Sequence, residues 1–391
     1  MRTGAYAIGL TAAAIFAAAA IFAATPARHG DTCAPTGEWS VPGGSRVAAP
    51  EILARAAQAQ VVLLGESHDN ADHHRWELQT VAALAALHPK LVLGFEMFPR
   101  RVQGALDRWV AGELSEEEFL KASDWPHVWG YDTAFYLPLF HLARLNRIPM
   151  LALNVERDFV STVGAKGLAA VAPEKREGVA APAAAGEAYI ERLFESYAQH
   201  QEKQGPARAR SDPAFRNFVE AQLLWDGAMA QALASAAAPD ALVVGVMGSK
   251  HIAHGDGVPH QLHSLGIKRI VSLLPWDAGA DCSQYSADLA TAVFGMPARA
   301  AQPDRAPPRL GIAVEAATDG VKVSSVSPGS IAEATGLRPG DVLVEVAGTP
   351  VKTPEEVRAI VGRMVPGTWL PLTARRDDET IALTAKFPAK Q

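Results

Sequence analysis

Five stretches of the chain are short and almost wholly apolar: VVLLGE (61–66), LVLGFEM (91–97), MLALN (150–154), ALVVGVMG (241–248) and RIVSLLP (269–275). Such runs, with little alternation, suit strands covered on both faces, as in a parallel sheet. Between them the period lengthens. His73–Leu87 sets Trp76, Val81, Leu84 and Leu87 at helical spacing, and Thr133–Asn146 carries Phe135, Leu139, Leu142 and Leu145 behind a threonine start. Pro213–Ala237 is long and amphipathic. Strands and helices in alternation predict right-handed βαβ crossovers, hence an α/β domain with a mainly parallel sheet and flanking helices. Residues 164–212 differ, being rich in Ala, Gly, Pro and charge around one helical segment at Glu187–Gln201. They read as a helical insertion.

The pattern changes again at GMPARAAQPDRAPP (295–308), a proline-rich stretch without apolar period, read as a linker. Beyond it RLGIAVEA, VKVSSV, DVLVEVAG and TWLPLTARR alternate in part, and TPEEVRAIVGRM is a single helix with a Thr-Pro start. These signals predict a small β-rich module over residues 309–388, after an α/β domain over 45–294.

The N-terminus is separate from both. Arg2 precedes the alanine-rich apolar run IGLTAAAIFAAAAIFAA (8–24), and Thr25-Pro26-Ala27 follows. Residues 1–27 read as a secretory signal, with a periplasmic or otherwise exported destination; the alternative is an uncleaved membrane anchor. His29-Gly30-Asp31-Thr32 ahead of Cys33 lacks the apolar and small residues of a lipid-attachment site, so no lipid is expected. Cys33 and Cys282 are the two cysteines, and either they pair in an oxidising compartment or they stay buried as thiols. Length and composition (391 residues, 49% hydrophobic) fit two packed domains. A net charge of −6 without a basic stripe argues against nucleic acid as partner.

Candidate chemistry lies where the strands end, since ligands of open α/β sheets bind beyond the carboxyl ends of the strands. The first strand ends in Glu66, Ser67 and His68, the second in Glu96, Met97 and Phe98. The third ends in Asn154, with Glu156 and Arg157 next, and the fourth in Gly248, Ser249, Lys250 and His251. Glu66 and His68 are two apart, so in an extended chain they face one side. Glu66, His68, Glu96 and His251 supply a nitrogen–oxygen set suited to a divalent transition metal. They serve equally as a base and its orienting acid. Ser67 is a nucleophile candidate with no assignable base. His73 and His74 open a helix, where one of such a pair usually faces water. His254, His260 and His263 read as rim residues. GSKHIAHGDG lacks the phosphate-loop order, which discounts nucleotide binding.

Several segments occur in one order: GESHDNADHH, EMFPRRVQGALDRW, WGYDTAFYLPLFHLARLNRIPMLALNVER, EAQLLWDGAMA and MGSKHIAHGDGVPHQL. Together, over about residues 50–280, they resemble the ChaN family, which is iron-regulated and haem-binding. Its wider superfamily holds Tiki proteases, TraB proteins and erythromycin esterases. The resemblance implies an exported haem-binding protein in haem or iron uptake or trafficking. It also implies a tyrosine as iron ligand and a homodimer that holds haems face to face. Tyr131 and Tyr136 are the tyrosines of the matching segment, with His68, His251 and Glu96 as further lining candidates. A tyrosinate, as a hard anionic oxygen, favours ferric haem; otherwise both tyrosines are core residues beside Trp129 and Phe135. The superfamily's hydrolases use the same Glu-x-His and late His, so Glu66, His68 and His251 imply a peptidase or esterase as the alternative.

The C-terminal module resembles a PDZ domain through RLGIAVE, SIAEATGLRPGDVLVEVAGTPV and PEEVRAIVGRM. The resemblance implies binding of a C-terminal peptide by strand addition along Ile312–Ala316. The backbone N–H groups of Leu310, Gly311 and Ile312 would hold the carboxylate, Ala313 would contact the peptide along the strand, and Val357 and Ile360 would line the pocket for the last side chain. The alternative is a module that docks only on its own first domain.

Overall fold

The computed structural model describes residues 33–201, 209–299, 308–377 and 379–389. The expected secretory segment and residues 300–307 of the expected linker lie outside the described residues. The chain forms two compact units, divided after Arg299.

The first unit is built on eight strands: β1 (Trp39–Ser40), β2 (Arg46–Val47), β3 (Val61–Glu66), β4 (Leu91–Pro99), β5 (Met150–Asn154), β6 (Leu242–Gly248), β7 (Ile270–Asp277) and β8 (Ala292–Met296). They lie in the order β2-β1-β8-β7-β3-β6-β4-β5. Every pairing from β8 to β5 is parallel, and only β1 and β2 run antiparallel. The sheet divides its side chains by the period of two. Val62 and Leu64 join a core with Trp76, Phe95 and Phe140, whereas Val61 and Leu63 join the opposite core with Met229, Leu233 and Val243. All six residues of β3 and all seven of β6 are buried, which is why these strands read as unbroken apolar runs. Each such aliphatic side chain contributes about 1.5–3 kcal/mol by leaving water.

Two expected boundaries need correction. Gly295 and Met296, placed in the linker by their nearness to proline, belong to β8. The domain also starts before residue 45, because Trp39 pairs with Phe294 and Cys33 forms a disulfide with Cys282. Strands of two residues carry no readable period, so the hairpin of β1 and β2 leaves no sequence signal. The disulfide settles the alternative between paired and free thiols.

Strand order positions the site. β6, late in sequence, pairs with β3 on one side and β4 on the other, and Glu66 stands level with Gly248. The carboxyl ends of β3, β6 and β4 are therefore neighbours. The helices that flank them are capped as their sequences allow: Asn70 caps Ala71–Leu87, Asp132 caps Thr133–Leu145 and Asp212 caps Pro213–Ala236. The insertion carries the helix Glu187–Gln201. Among the described residues no helix is long and apolar enough to cross a membrane.

The second unit contains β9 (Ile312–Ala317), β10 (Gly320–Val326), β11 (Val342–Val346), β12 (Thr349–Pro350), β13 (Trp369–Arg376) and β14 (Glu379–Lys386). Its antiparallel order β14-β13-β11-β10-β9 leaves β9 as an edge, and β12 pairs with β11. The helix Pro354–Gly362 opens on a capping box of Thr353 and Glu356.

Candidate functional site

β3 delivers Glu66 with 2% of its surface exposed, and the chain turns so that His68 Nδ1 donates to Glu66 Oε1 at 2.5 Å. Burial opposes a charge on His68, but the hydrogen bond and the field of Glu66 prevail and raise its pKa. The His68 ring stands over Gly248: a Cβ added there would come within 3.1 Å of Cε1 and 3.4 Å of Nε2. Trp129 and Tyr131 flank it at 4.6 and 5.4 Å between centroids.

β4 reaches the same place through a distortion. Its register against β5 slips between Phe95 and Pro99, and Asn154 Nδ2 donates to the Glu96 carbonyl at 3.0 Å. Such bulges re-aim side chains near active sites. Glu96 is fully buried, and its Oε2 accepts from the Gly248 N–H at 2.7 Å. Its Oε1 stands 3.5 Å from His251 Nε2. Burial works against ionisation of Glu96, yet His251, His68 and the Gly248 N–H hold its pKa low. The other ring nitrogen of His251, Nδ1, donates to Asp226 Oδ1 at 2.6 Å, and Tyr189 Oη donates to Asp226 Oδ2 at 2.7 Å. Burial disfavours a charged His251, but Glu96 and Asp226 outweigh it and push its pKa up to about 10.

Glu66, His68, Glu96 and His251 are thus gathered at one end of the sheet. Sequence reasoning missed three residues that support them, one directly and two through a neighbour. Asp226 is fully buried in the middle of helix Pro213–Ala236, amid a run of apolar residues that was its available signal. Tyr189 comes from the insertion, which is thereby tied to the site. Glu77 is 1% exposed, and its Oε2 accepts from His74 Nδ1 at 3.0 Å. Burial pushes Glu77 up to about 8. The expectation that His73 or His74 faces water is overturned, since both are buried. His74 Nε2 bonds the His68 carbonyl at 3.2 Å, and His73 spans from the Ser67 N–H to Asp277. Helix Ala71–Leu87 starts two residues ahead of His73, so its first turn faces the sheet. His254 and His260 bond at the edges, to Ser286 and the Ala184 carbonyl.

The two tyrosines part company. Tyr136 is 1% exposed, and its hydroxyl lies 3.4 Å from Glu66 Oε1. Burial and the Glu66 charge raise its pKa, which disfavours a phenolate. Tyr136 is a core residue beneath the site. Tyr131 is 38% exposed at the rim beside His68. No group of three or more His, Cys, Asp or Glu among the described residues is arranged to hold a metal ion. His68 and His251 each donate through one ring nitrogen to a carboxylate, at Glu66 and Asp226.

Chemically, the floor is a pair of imidazole–carboxylate couples, and the rim is aromatic. Glu66 Oε2 and Glu96 Oε1 are buried without a hydrogen-bond partner, as are the indole N–H groups of Trp129 and Trp225. Native proteins rarely leave such groups unsatisfied, so their clustering marks a place shaped for a ligand. A haem fits this set through Tyr131 at the accessible edge, with the Trp129 ring and the His68 imidazole beside it. Next to the floor lies a cavity of about 250 Å³, bordered by Met97, Val128, Arg157 and Trp225.

In the second unit, β9 keeps one side unpaired and the helix Pro354–Gly362 lies against it. Leu310 is buried, Ile312 half-buried and Ala313 exposed; across from them Val357 is buried and Ile360 half-buried. Gly311 has φ +82°, and a Cβ on it would come within 2.3 Å of Ser330 Cβ.

Among curated proteins the chain is 46% identical over 65 residues to the magnetosome formation protease MamE of Paramagnetospirillum magneticum, which is 17% of this chain and 9% of that protein. It is 29% identical over 96 residues to a probable periplasmic serine endoprotease DegP-like of Halomonas elongata, 22% of this chain and 20% of that one. The chain therefore spans a fifth or less of these relatives. A solved structure of ChaN of Campylobacter jejuni, described as showing cofacial haem binding, matches with a TM-score of 0.52 at 18% identity. That match covers 66% of this chain and 95% of the other, and it shows a shared fold. The family described as haem-binding uptake, Tiki superfamily, ChaN matches residues 52–262, and the PDZ family matches residues 308–387. With more than half of its length matched, the chain belongs to the ChaN haem-binding family and carries a C-terminal PDZ domain.

Proposed function

We propose that this protein is exported, binds haem on the rim of Tyr131, Trp129 and His68, and serves haem or iron uptake or trafficking. The observation that carries the site is Tyr131, an exposed tyrosine beside a partly buried imidazole at the strand ends of a haem-family domain. Bound haem would supply a ferric iron, for which a phenolate oxygen is a fitting ligand. The chain's own part is to present that oxygen, to pack indole and imidazole against the macrocycle, and to keep Glu66 and Glu96 beneath. The rim is open, so a second copy of the chain is the natural cover for the exposed face, and haem should promote dimers. The Cys33–Cys282 disulfide supports export, because such bonds persist in oxidising compartments. The PDZ unit would take a peptide C-terminus on the free edge of β9. Hemin titration tests the core of the reading: an equimolar complex with a shifted Soret band is expected. Tyr131→Phe should lose the ferric tyrosinate spectrum while Tyr136→Phe keeps it. No shift with the parent protein refutes haem binding.

A second reading rests on the floor. Two buried carboxylates with unsatisfied oxygens, each coupled to an imidazole, are more than a haem rim requires. They suit an acid–base hydrolase in which Glu66 and His68 work opposite His251. Peptidase and esterase assays on the parent and on His68→Ala test it, and equal rates in the two defeat it.

A further inference from the structure

We propose that the cavity beside the floor is a carboxylate-arm subsite, with Arg157 as its recognising cation. This rests on the haem reading and adds which part of the ligand enters where. The cavity measures about 250 Å³. That is below the ~300–1,000 Å³ of pockets that enclose a drug-sized ligand, so the cavity is too small to enclose a porphyrin ring. A flexible side arm can. Met97, Val128, Val155 and Val160 supply apolar walls for the methylenes of such an arm.

The charges select its terminus. Arg101 lines the cavity but is occupied, pairing with Asp124 and with Glu156. Arg157 is exposed and forms no ion pair among the described residues; its guanidinium reaches only the Val128 carbonyl, at 3.5 Å. Trp225 adds a second donor, since its indole N–H is buried without a partner while its ring packs on His251 at 4.9 Å. A carboxylate placed here would satisfy both donors with charge-assisted hydrogen bonds. The position is also correct in sequence and space. Val128 borders the cavity, and its neighbour Trp129 packs on His68 at the rim. A ring lying on that rim would therefore have one propionate within reach of the cavity.

The test compares hemin with hemin dimethyl ester, whose propionates are blocked, on the full chain. The parent should bind the free acid about tenfold tighter than the diester. Arg157→Ala should remove that preference and leave the Soret band of the complex unchanged, whereas Arg157→Lys should retain it. Trp225→Phe should weaken the preference in part. Equal binding of acid and diester by the parent, or an undiminished preference in Arg157→Ala, overturns the subsite while leaving haem binding intact. Binding of neither porphyrin overturns the haem reading and the subsite with it.

Discussion

The pairing of His251 with Asp226 and Glu96 makes the first domain lose stability as the pH rises. In the folded state the His251 pKa moves from an ordinary 6.5 to about 10, because two buried carboxylates outweigh the cost of burying the imidazolium. A base with a raised pKa contributes its full stabilisation below about pH 6.5 and loses it progressively as the pH climbs to about 10. At ~1.4 kcal/mol per tenfold change in proton affinity, the difference amounts to about 5 kcal/mol. That is a large part of the ~5–15 kcal/mol that holds a domain folded. Glu77 acts with the same sign: held protonated up to about pH 8 while the unfolded carboxyl ionises near 4.5, it lowers stability progressively between those two values. Asp226→Asn removes part of the His251 share and leaves that of Glu96: it takes away one charge at nearly constant volume and, by breaking a buried pair, costs about 3–5 kcal/mol near neutrality. Urea unfolding followed by tryptophan fluorescence reads the right domain, because seven of the eight tryptophans precede residue 300 and only Trp369 follows. The parent midpoint should fall between pH 7 and 9.5, and the variant should start lower and fall less. A parent midpoint that stays flat or rises over this range, or a variant that loses as much as the parent, refutes the argument.

Gly248→Ala should keep the fold, because its φ of −56° suits alanine, while the new methyl crowds the His68 ring at 3.1 Å and so strains its bond to Glu66. The His68 pKa, followed by NMR, should then drop toward its ordinary value; an unchanged value contradicts the packing. Reducing Cys33–Cys282, or replacing both with serine, opens a loop spanning 249 residues and should cost about 2–5 kcal/mol, seen as a lower thermal midpoint. Gly311→Val sets a branched side chain at positive φ and against Ser330, so binding of C-terminal peptides, measured by fluorescence polarisation, should be abolished. Retained peptide affinity in that variant would remove the carboxylate loop from the recognition.

The sheet was legible because burial on both faces leaves a plain mark: β3 to β7 all fall on the five apolar runs. The convergence of Glu66, Glu96 and His251 followed from one rule about strand ends. What stayed hidden was set by partners distant in sequence. Asp226 looks like the polar point of an amphipathic helix until β6 brings His251 against it. Likewise Glu77 and His74, three apart on one helix, look like a solvated pair, and only the burial of that helix face shows otherwise. Tyr131 and Tyr136 stand five apart in one segment, and no pattern of spacing distinguishes a rim hydroxyl from one locked under Glu66. The hairpin of β1 and β2 escaped for another reason, since its strands owe their existence to an edge at β8 and to a disulfide.

The haem and hydrolase readings share His68 but differ in Tyr131, which only the first needs, and in Glu66 and His251, which only the second does; this makes them separable within one protein. Haem binding needs the rim, where Tyr131 is exposed and removable without disturbing the charges below. Hydrolysis needs the floor, where Glu66 and Glu96 each leave a buried oxygen unsatisfied. A macrocycle on the rim would cover His68, whose ring stands between the two levels, so the readings exclude one another in time if both are true. Hemin should then inhibit any hydrolysis with the same affinity that the Soret titration reports, and Tyr131→Phe should relieve that inhibition while leaving the hydrolytic rate unchanged. Inhibition that survives Tyr131→Phe would place the haem on the floor and not on the rim.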